Sequence, residues 1–203
     1  MKLKDFGRIK PRAQILCLLL SAMKTQTQGL LVDQASGTIG ENIQNSVILP
    51  VTPTVQSFTP SLPGIGYIQL ATFINAAGGG VTVIINLRQD AYNGPIVSST
   101  DPVIVVNKNT QISAFYFTGN IPVTPNQVYY FEPVVLSGGT WFVGYKGPST
   151  YDRGDLFSNG VPSGGAVDLW FQEGIVVPEP RGVWLLLFGG SVLFWCRRIG
   201  MKS

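Results

Sequence analysis

Short apolar runs alternate with turn residues through the middle of this chain. The clearest run covers residues 81–88, where every second side chain is apolar and the residues between are more often polar. The apolar positions on one face are Val81, Val83, Ile85 and Leu87. A period of two is typical of a β-strand with one buried face. Asn93-Gly94, a common hairpin-turn pair, follows the run.

The same pattern recurs often enough to predict eight strands and a short additional one at residues 46–49. The eight cover residues 55–59, 67–74, 81–88, 103–106, 112–118, 128–136, 141–145 and 166–172. Most of the 24 glycines and 14 prolines of the chain separate such runs, which favours turns over helices. Residues 30–177 are therefore predicted to form one all-β domain, an antiparallel β-sandwich.

The first 29 residues have the pattern of a secretory signal peptide. Five basic residues open the segment, and an uncharged, mostly apolar run follows at residues 13–23. The basic residues are Lys2, Lys4, Arg8, Lys10 and Arg12. This order is the one that the general secretion machinery uses, so residues 1–29 are predicted to direct export.

Residues 178–203 combine an accessible motif, an apolar run and a basic end. Pro178 and Pro180 keep Glu179 in extended, exposed backbone. Residues 183–196 carry no charge and are predicted to form a transmembrane helix. At about 1.5 Å per residue their length is roughly 21 Å, against a hydrocarbon core of ~30 Å, so the span is marginal and suits a temporary anchor. Arg197 and Arg198 would hold the end of the chain on the cytoplasmic side.

This order of Pro178-Glu179-Pro180, apolar helix and Arg197-Arg198 resembles the PEP-CTERM sorting signal of Gram-negative bacteria. The resemblance implies an exosortase-type enzyme as partner, which processes the tail at the inner membrane and releases the protein to the cell surface or matrix, together with exopolysaccharide. Residues 56–172 also resemble, in strand rhythm, the jelly-roll ectodomains that precede such tails. A permanent membrane anchor with an incidental Pro-Glu-Pro is the alternative.

The charge of the chain argues against nucleic-acid binding. The formal net charge is +3, but ten of the fourteen basic residues lie outside residues 30–177. That middle region has four basic and nine acidic residues, a net charge of −5, whereas nucleic-acid-binding domains are basic.

The residue types present argue against catalysis. The chain has no histidine, which removes imidazole-based catalytic triads and zinc sites. Cys17 and Cys196 both lie in the terminal segments, so the predicted domain has no cysteine nucleophile. We therefore predict a protein that is not an enzyme and has no cofactor. A hydrolase with two acidic residues in one cleft is the alternative, and a calcium ion on Asp152 and Asp155 is a further option.

Binding of polysaccharide is the function for which the middle region offers candidate residues. Sugar rings stack on exposed aromatic faces, and their hydroxyl groups donate hydrogen bonds to neighbouring carboxylates. The candidate side chains are Trp141, Tyr145, Tyr151 and Trp170, with Asp152, Asp155 and Asp168 as acceptors. If Val167, Leu169 and Phe171 face the core, strand alternation places Trp170 on the outside, beside Asp168 and Gln172. Burial in the core or on a sheet face is the alternative for each aromatic residue.

Overall fold

The computed structural model of the protein describes residues 28–37, 44–46, 53–74, 79–106, 109–149 and 151–178, with backbone alone for 44–46. The chain divides into two units. One is Leu30–Val176, and the other joins Met1–Gly29 to Val177–Ser203. The predicted signal peptide and transmembrane helix lie in the second unit, almost wholly outside the described residues. None of the residues described forms a helix long and apolar enough to span a membrane.

Every regular element in these ranges is a β-strand, and the strands form two antiparallel sheets of seven. Sheet I contains β1 (Gln28–Ala35), β2 (Gln44–Ser46), β4 (Gly64–Ile74), β8 (Gln111–Pro122), β10 (Trp141–Lys146), β13 (Asp168–Leu169) and β14 (Phe171–Pro178). Sheet II contains β3 (Thr54–Phe58), β5 (Val81–Gln89), β6 (Ile96–Ser99), β7 (Val103–Val105), β9 (Tyr129–Ser137), β11 (Leu156–Ser158) and β12 (Val161–Pro162). The all-β prediction is confirmed.

The strand order mixes elements from distant parts of the chain. Sheet I runs β1-β14-β4-β10-β13, with β2 pairing to β10 and β8 pairing to β4. Sheet II runs β12-β11-β3-β9-β5-β6, with β7 pairing to β5. In its centre Leu87 of β5 lies opposite Phe131 of β9, so both side chains are on the same face.

One hydrophobic core takes side chains from both sheets. The alternating apolar residues of β5 are fully buried in it, as their period predicts. Phe171 of sheet I lies 5.2 Å from Phe131 and 6.3 Å from Phe58 of sheet II, measured between ring centroids. Burying each ring contributes about 2–3 kcal/mol. These contacts are therefore among the main ones that hold the two sheets together.

Strand boundaries differ from the prediction, and four strands, β1, β6, β11 and β12, were not predicted. The predicted strand at residues 166–172 is divided by Trp170 into β13 and β14, and β14 continues to Pro178. Strand β1 was not predicted, because residues 28–35 were divided between the signal peptide and a polar lead-in. The predicted strand at residues 46–49 overlaps β2 only at Ser46.

Candidate functional site

Four of the seven candidate ligand-binding residues have buried side chains, whereas Tyr145 and Asp155 are half-buried and Asp152 is exposed. Trp170 and Asp168 are each 1% exposed, Trp141 is 3% exposed and Tyr151 is 8% exposed. A sugar ring stacks on an aromatic face that solvent can reach. The predicted exposed position of Trp170 is therefore wrong, and none of the three aromatic rings offers an open surface.

Neighbouring backbone that packs around Trp170 accounts for the error there. Leu169 and Phe171 lie in the core on either side of Trp170, as predicted, but Trp170 itself is buried outside that cluster. Its backbone N–H donates to the carbonyl of Gly144 at 2.9 Å. The N–H of Ser36 donates to the carbonyl of Phe171 at 3.0 Å. The hydroxyl of Ser36 donates to the carbonyl of Leu169. Ser36 therefore lies against Leu169 and Phe171, the two neighbours of Trp170, whereas the prediction assumed that this face is open to solvent.

Asp168 points to the other sheet and not to solvent. The Nε2 group of Gln56 on β3 donates to Asp168 Oδ1 at 2.7 Å, and Gln56 Oε1 accepts from the N–H of Leu169 at 2.9 Å. The hydroxyl of Ser149 donates to Asp168 Oδ2. Burial raises the pKa of Asp168, an effect that the Ser149 and Gln56 hydrogen bonds oppose and Asp155 reinforces. These groups form a buried polar network between the two sheets.

Tyr151 and Trp141 both belong to the hydrophobic core. The ring of Tyr151 packs edge-on against Phe171 at 5.2 Å, and its hydroxyl accepts from the N–H of Thr59 at 3.2 Å. Burial raises the pKa of Tyr151. Trp141 lies opposite Ile74 of β4, on the core side of sheet I. Both rings therefore pack in the core, which was the alternative for them.

Of the two acidic residues considered for calcium, Asp155 already accepts hydrogen bonds from its own loop. The carboxylate of Asp155 accepts from the N–H groups of Gly164 at 2.9 Å and Gly165 at 3.3 Å, and from the hydroxyl of Ser163. Burial raises the pKa of Asp155, but these hydrogen bonds lower it more. Asp152 is exposed. The described part of the chain contains no group of three or more acidic, histidine or cysteine residues that could hold a metal ion.

Glu173 is a buried acid that sequence analysis did not single out. It lies opposite Ile68 of β4, so its side chain is on the core side of sheet I with Phe171. It is fully buried, and neither carboxyl oxygen has a hydrogen-bond partner within the described residues. Burial first, and then the charge of Asp33, raise the pKa of Glu173 to about 9, although Arg153 opposes the shift. Glu173 is therefore protonated at neutral pH.

Partly exposed aromatic rings lie instead on the outer face of sheet II. Tyr92 and Phe157 stack with centroids 5.7 Å apart, and Tyr130 meets Phe157 edge-on at 5.9 Å. We call these three residues the aromatic cluster. Tyr130 lies opposite Arg88, whose guanidinium bonds Glu132 at 2.7 Å. Sequence analysis missed the cluster because its members come from three separate segments.

The predicted sorting motif begins where the described chain ends. Pro178 is the last residue of β14 and is exposed. Glu179, Pro180, Arg197 and Arg198 lie outside the described residues. Two residues before Pro178, the backbone of Val176 is held on both sides by Asn120. The Nδ2 group of Asn120 donates to the Val176 carbonyl at 3.0 Å, and its Oδ1 accepts from the Val176 N–H at 2.9 Å.

Comparison with known proteins adds no relative. No protein-family model matches the chain, and no curated protein sequence is significantly similar to it.

Proposed function

We propose that the protein is an exported cell-envelope or extracellular-matrix protein whose tail is a sorting signal. In this proposal the two sheets form a jelly-roll-like β-sandwich, which the N-terminal segment directs through the inner membrane. Residues 178–203 hold it there until an exosortase-type enzyme acts near Pro178-Glu179-Pro180. The domain then remains with exopolysaccharide at the surface and catalyses no reaction.

The position of the motif relative to the folded unit is the observation that supports this proposal. The unit ends at Val176, where Asn120 binds both backbone polar groups. Val177 is 37% exposed, and the first residue of the motif follows it. An enzyme that grips extended backbone needs its target free of the fold. Glu179 directly follows Pro178, the exposed last residue of β14, and in this proposal the enzyme recognises it while the domain stays folded.

Fractionation of producing cells tests the proposal. The host must contain an exosortase-type enzyme, and it carries the wild-type protein, a Glu179→Ala variant or an Asp152→Ala variant. Asp152 is an exposed acid of the domain and serves as the matched control. We expect wild type and Asp152→Ala at the surface, and Glu179→Ala full-length in the inner membrane. If all three stay full-length in the inner membrane, the tail is a permanent anchor and the sorting proposal is wrong.

Glycan binding is a second candidate function, and the aromatic cluster is the observation that favours it. Tyr92, Tyr130 and Phe157 lie beside the polar pair Arg88 and Glu132 on the outer face of sheet II. Aromatic faces next to planar hydrogen-bonding groups are the usual chemistry for sugar rings. This site replaces the one predicted around Trp170.

Retention on immobilised exopolysaccharide of the producing cells tests this second function. We expect Tyr92→Ala to lose retention, because it removes one ring of the stacked pair. Tyr116→Ala is the control, since Tyr116 is a 39% exposed tyrosine of sheet I. Equal retention of both variants and the wild type would show that the cluster does not bind the glycan.

A further inference from the structure

Strand β1 is a long apolar strand at one end of sheet I. It pairs with β14, and the described residues place no strand on its other side. Leu30, Leu31 and Val32 follow one another in it and are 40–48% exposed. Consecutive residues of a strand point to opposite faces, so β1 is open to solvent on both faces, and within the described residues its edge is unpaired.

The side of β1 that pairs with β14 is held firmly. A Cβ atom on Gly174 would lie 1.9 Å from the carbonyl oxygen of Leu31, so only glycine permits this approach. The carboxylate of Asp33 accepts from the N–H groups of Ser61 at 2.7 Å and Leu62 at 2.8 Å. The free edge therefore belongs to a fixed strand, and its backbone groups are preorganised for pairing.

The other strands at sheet ends lack this combination. Within the described ranges β2, β6, β7, β12 and β13 have four residues or fewer, and β12 contains Pro162. Strand β8 is long, but the carbonyl of Tyr116 already accepts from the N–H of Asp101 at 3.0 Å. Short strands, proline and backbone cover are the usual protections of a sheet edge. Strand β1 has none of them among the residues that the structure describes.

We propose that β1 pairs antiparallel with β1 of a second copy of the protein, which joins the two copies of sheet I into one continuous sheet. The polarity of the strand is nearly symmetric about Leu31, with apolar residues at the centre and glutamines outside. In the symmetric register Leu31 faces Leu31 of the second copy, Leu30 faces Val32, Gly29 faces Asp33 and Gln28 faces Gln34. Apolar residues then meet apolar residues, and the one charged residue, Asp33, faces glycine.

Sedimentation equilibrium of the full-length protein in neutral detergent tests this pairing. We expect a monomer–dimer equilibrium, and Leu31→Lys should weaken it about tenfold or more, because two lysines would then face each other. Leu136→Lys is the matched control, since Leu136 is an exposed leucine of sheet II. Leu136→Lys should change the dissociation constant of the dimer by no more than about twofold. Wild type that is monomeric up to about 1 mM, or equal effects of the two lysines, would overturn the proposal.

Cysteine cross-linking tests the register independently of the tail. In a Cys17→Ser, Cys196→Ser background, Leu31→Cys should form a disulfide-linked dimer on mild oxidation, because position 31 faces itself. Leu30→Cys should cross-link far less, because position 30 faces Val32. Equal cross-linking at the two positions would overturn the register. If Leu31→Lys instead weakens binding to phospholipid vesicles and leaves the mass unchanged, β1 is a membrane contact and the proposal is wrong.

Discussion

Replacing Glu173 by glutamine should stabilise the protein at neutral pH. Glu173 is fully buried on the core side of sheet I, and neither of its oxygens finds a partner within the described chain. Glutamine has nearly the same shape and is uncharged in both the folded and the unfolded state. The substitution therefore removes the cost of taking up a proton on folding and leaves the packing around Phe171 in place.

The size of the effect follows from the pKa of Glu173, which is 4.5 in the reference state and about 9 in the fold. Below pH 4.5 the carboxyl is protonated in both states, so it adds no pH dependence. Between pH 4.5 and 9 the unfolded chain loses the proton and the folded chain keeps it, so stability falls as pH rises by about 1.4 kcal/mol per unit. At pH 7 the accumulated loss is on the order of 3 kcal/mol, and above pH 9 it no longer grows.

Urea unfolding at a series of pH values measures this effect. We expect Glu173→Gln to match the wild type near pH 4, to exceed it by about 3 kcal/mol at pH 7, and to show a flatter dependence up to pH 9. Asp152→Asn is the control, because Asp152 is an exposed acid and its neutralisation should change neither stability nor slope. A glutamine variant with wild-type stability at pH 7 and the wild-type slope would refute the buried, protonated state of Glu173.

Two further substitutions probe the packing between the sheets. Gln56→Leu should lower the free energy of unfolding by about 2–4 kcal/mol, because it leaves Asp168 Oδ1 and the Leu169 N–H without their bonds; the exposed Gln127→Leu should change it by under about 0.5 kcal/mol. Phe171→Ala should cost about 3–5 kcal/mol, because its ring contacts the Phe58 and Phe131 rings of sheet II. Urea unfolding measures both, and a Gln56→Leu or Phe171→Ala protein as stable as wild type would contradict these contacts.

The periodic strands of the core were predictable from the sequence. Alternation in β5 identified the buried face correctly, because one face of that strand is apolar and the other is not. Strand β1 has no such alternation, since Leu30, Leu31 and Val32 are exposed on both faces. It was missed because it lacks alternation and because residues 28 and 29 fell within the predicted signal peptide.

The buried polar residues were not predictable. Strand alternation separates Trp170 from Leu169 and Phe171, but it does not state whether the second face is covered. Burial of Asp168 depends on Gln56, which is 112 positions away in the chain. Glu173 stands between Gln172 and Gly174, and nothing local marks it as an acid of the core. Such positions depend on which strands become neighbours, and that information is not carried by a single run of residues.

The intact mass of the protein recovered from the surface of producing cells tests the central claim most directly. The proposal predicts a polypeptide that begins between residues 22 and 29 and ends near Pro178-Glu179-Pro180, with the terminal arginines removed. A surface protein with the mass of the full 203-residue chain would contradict the proposal. So would finding no protein at the surface and the full-length chain only in the inner membrane or the cytosol.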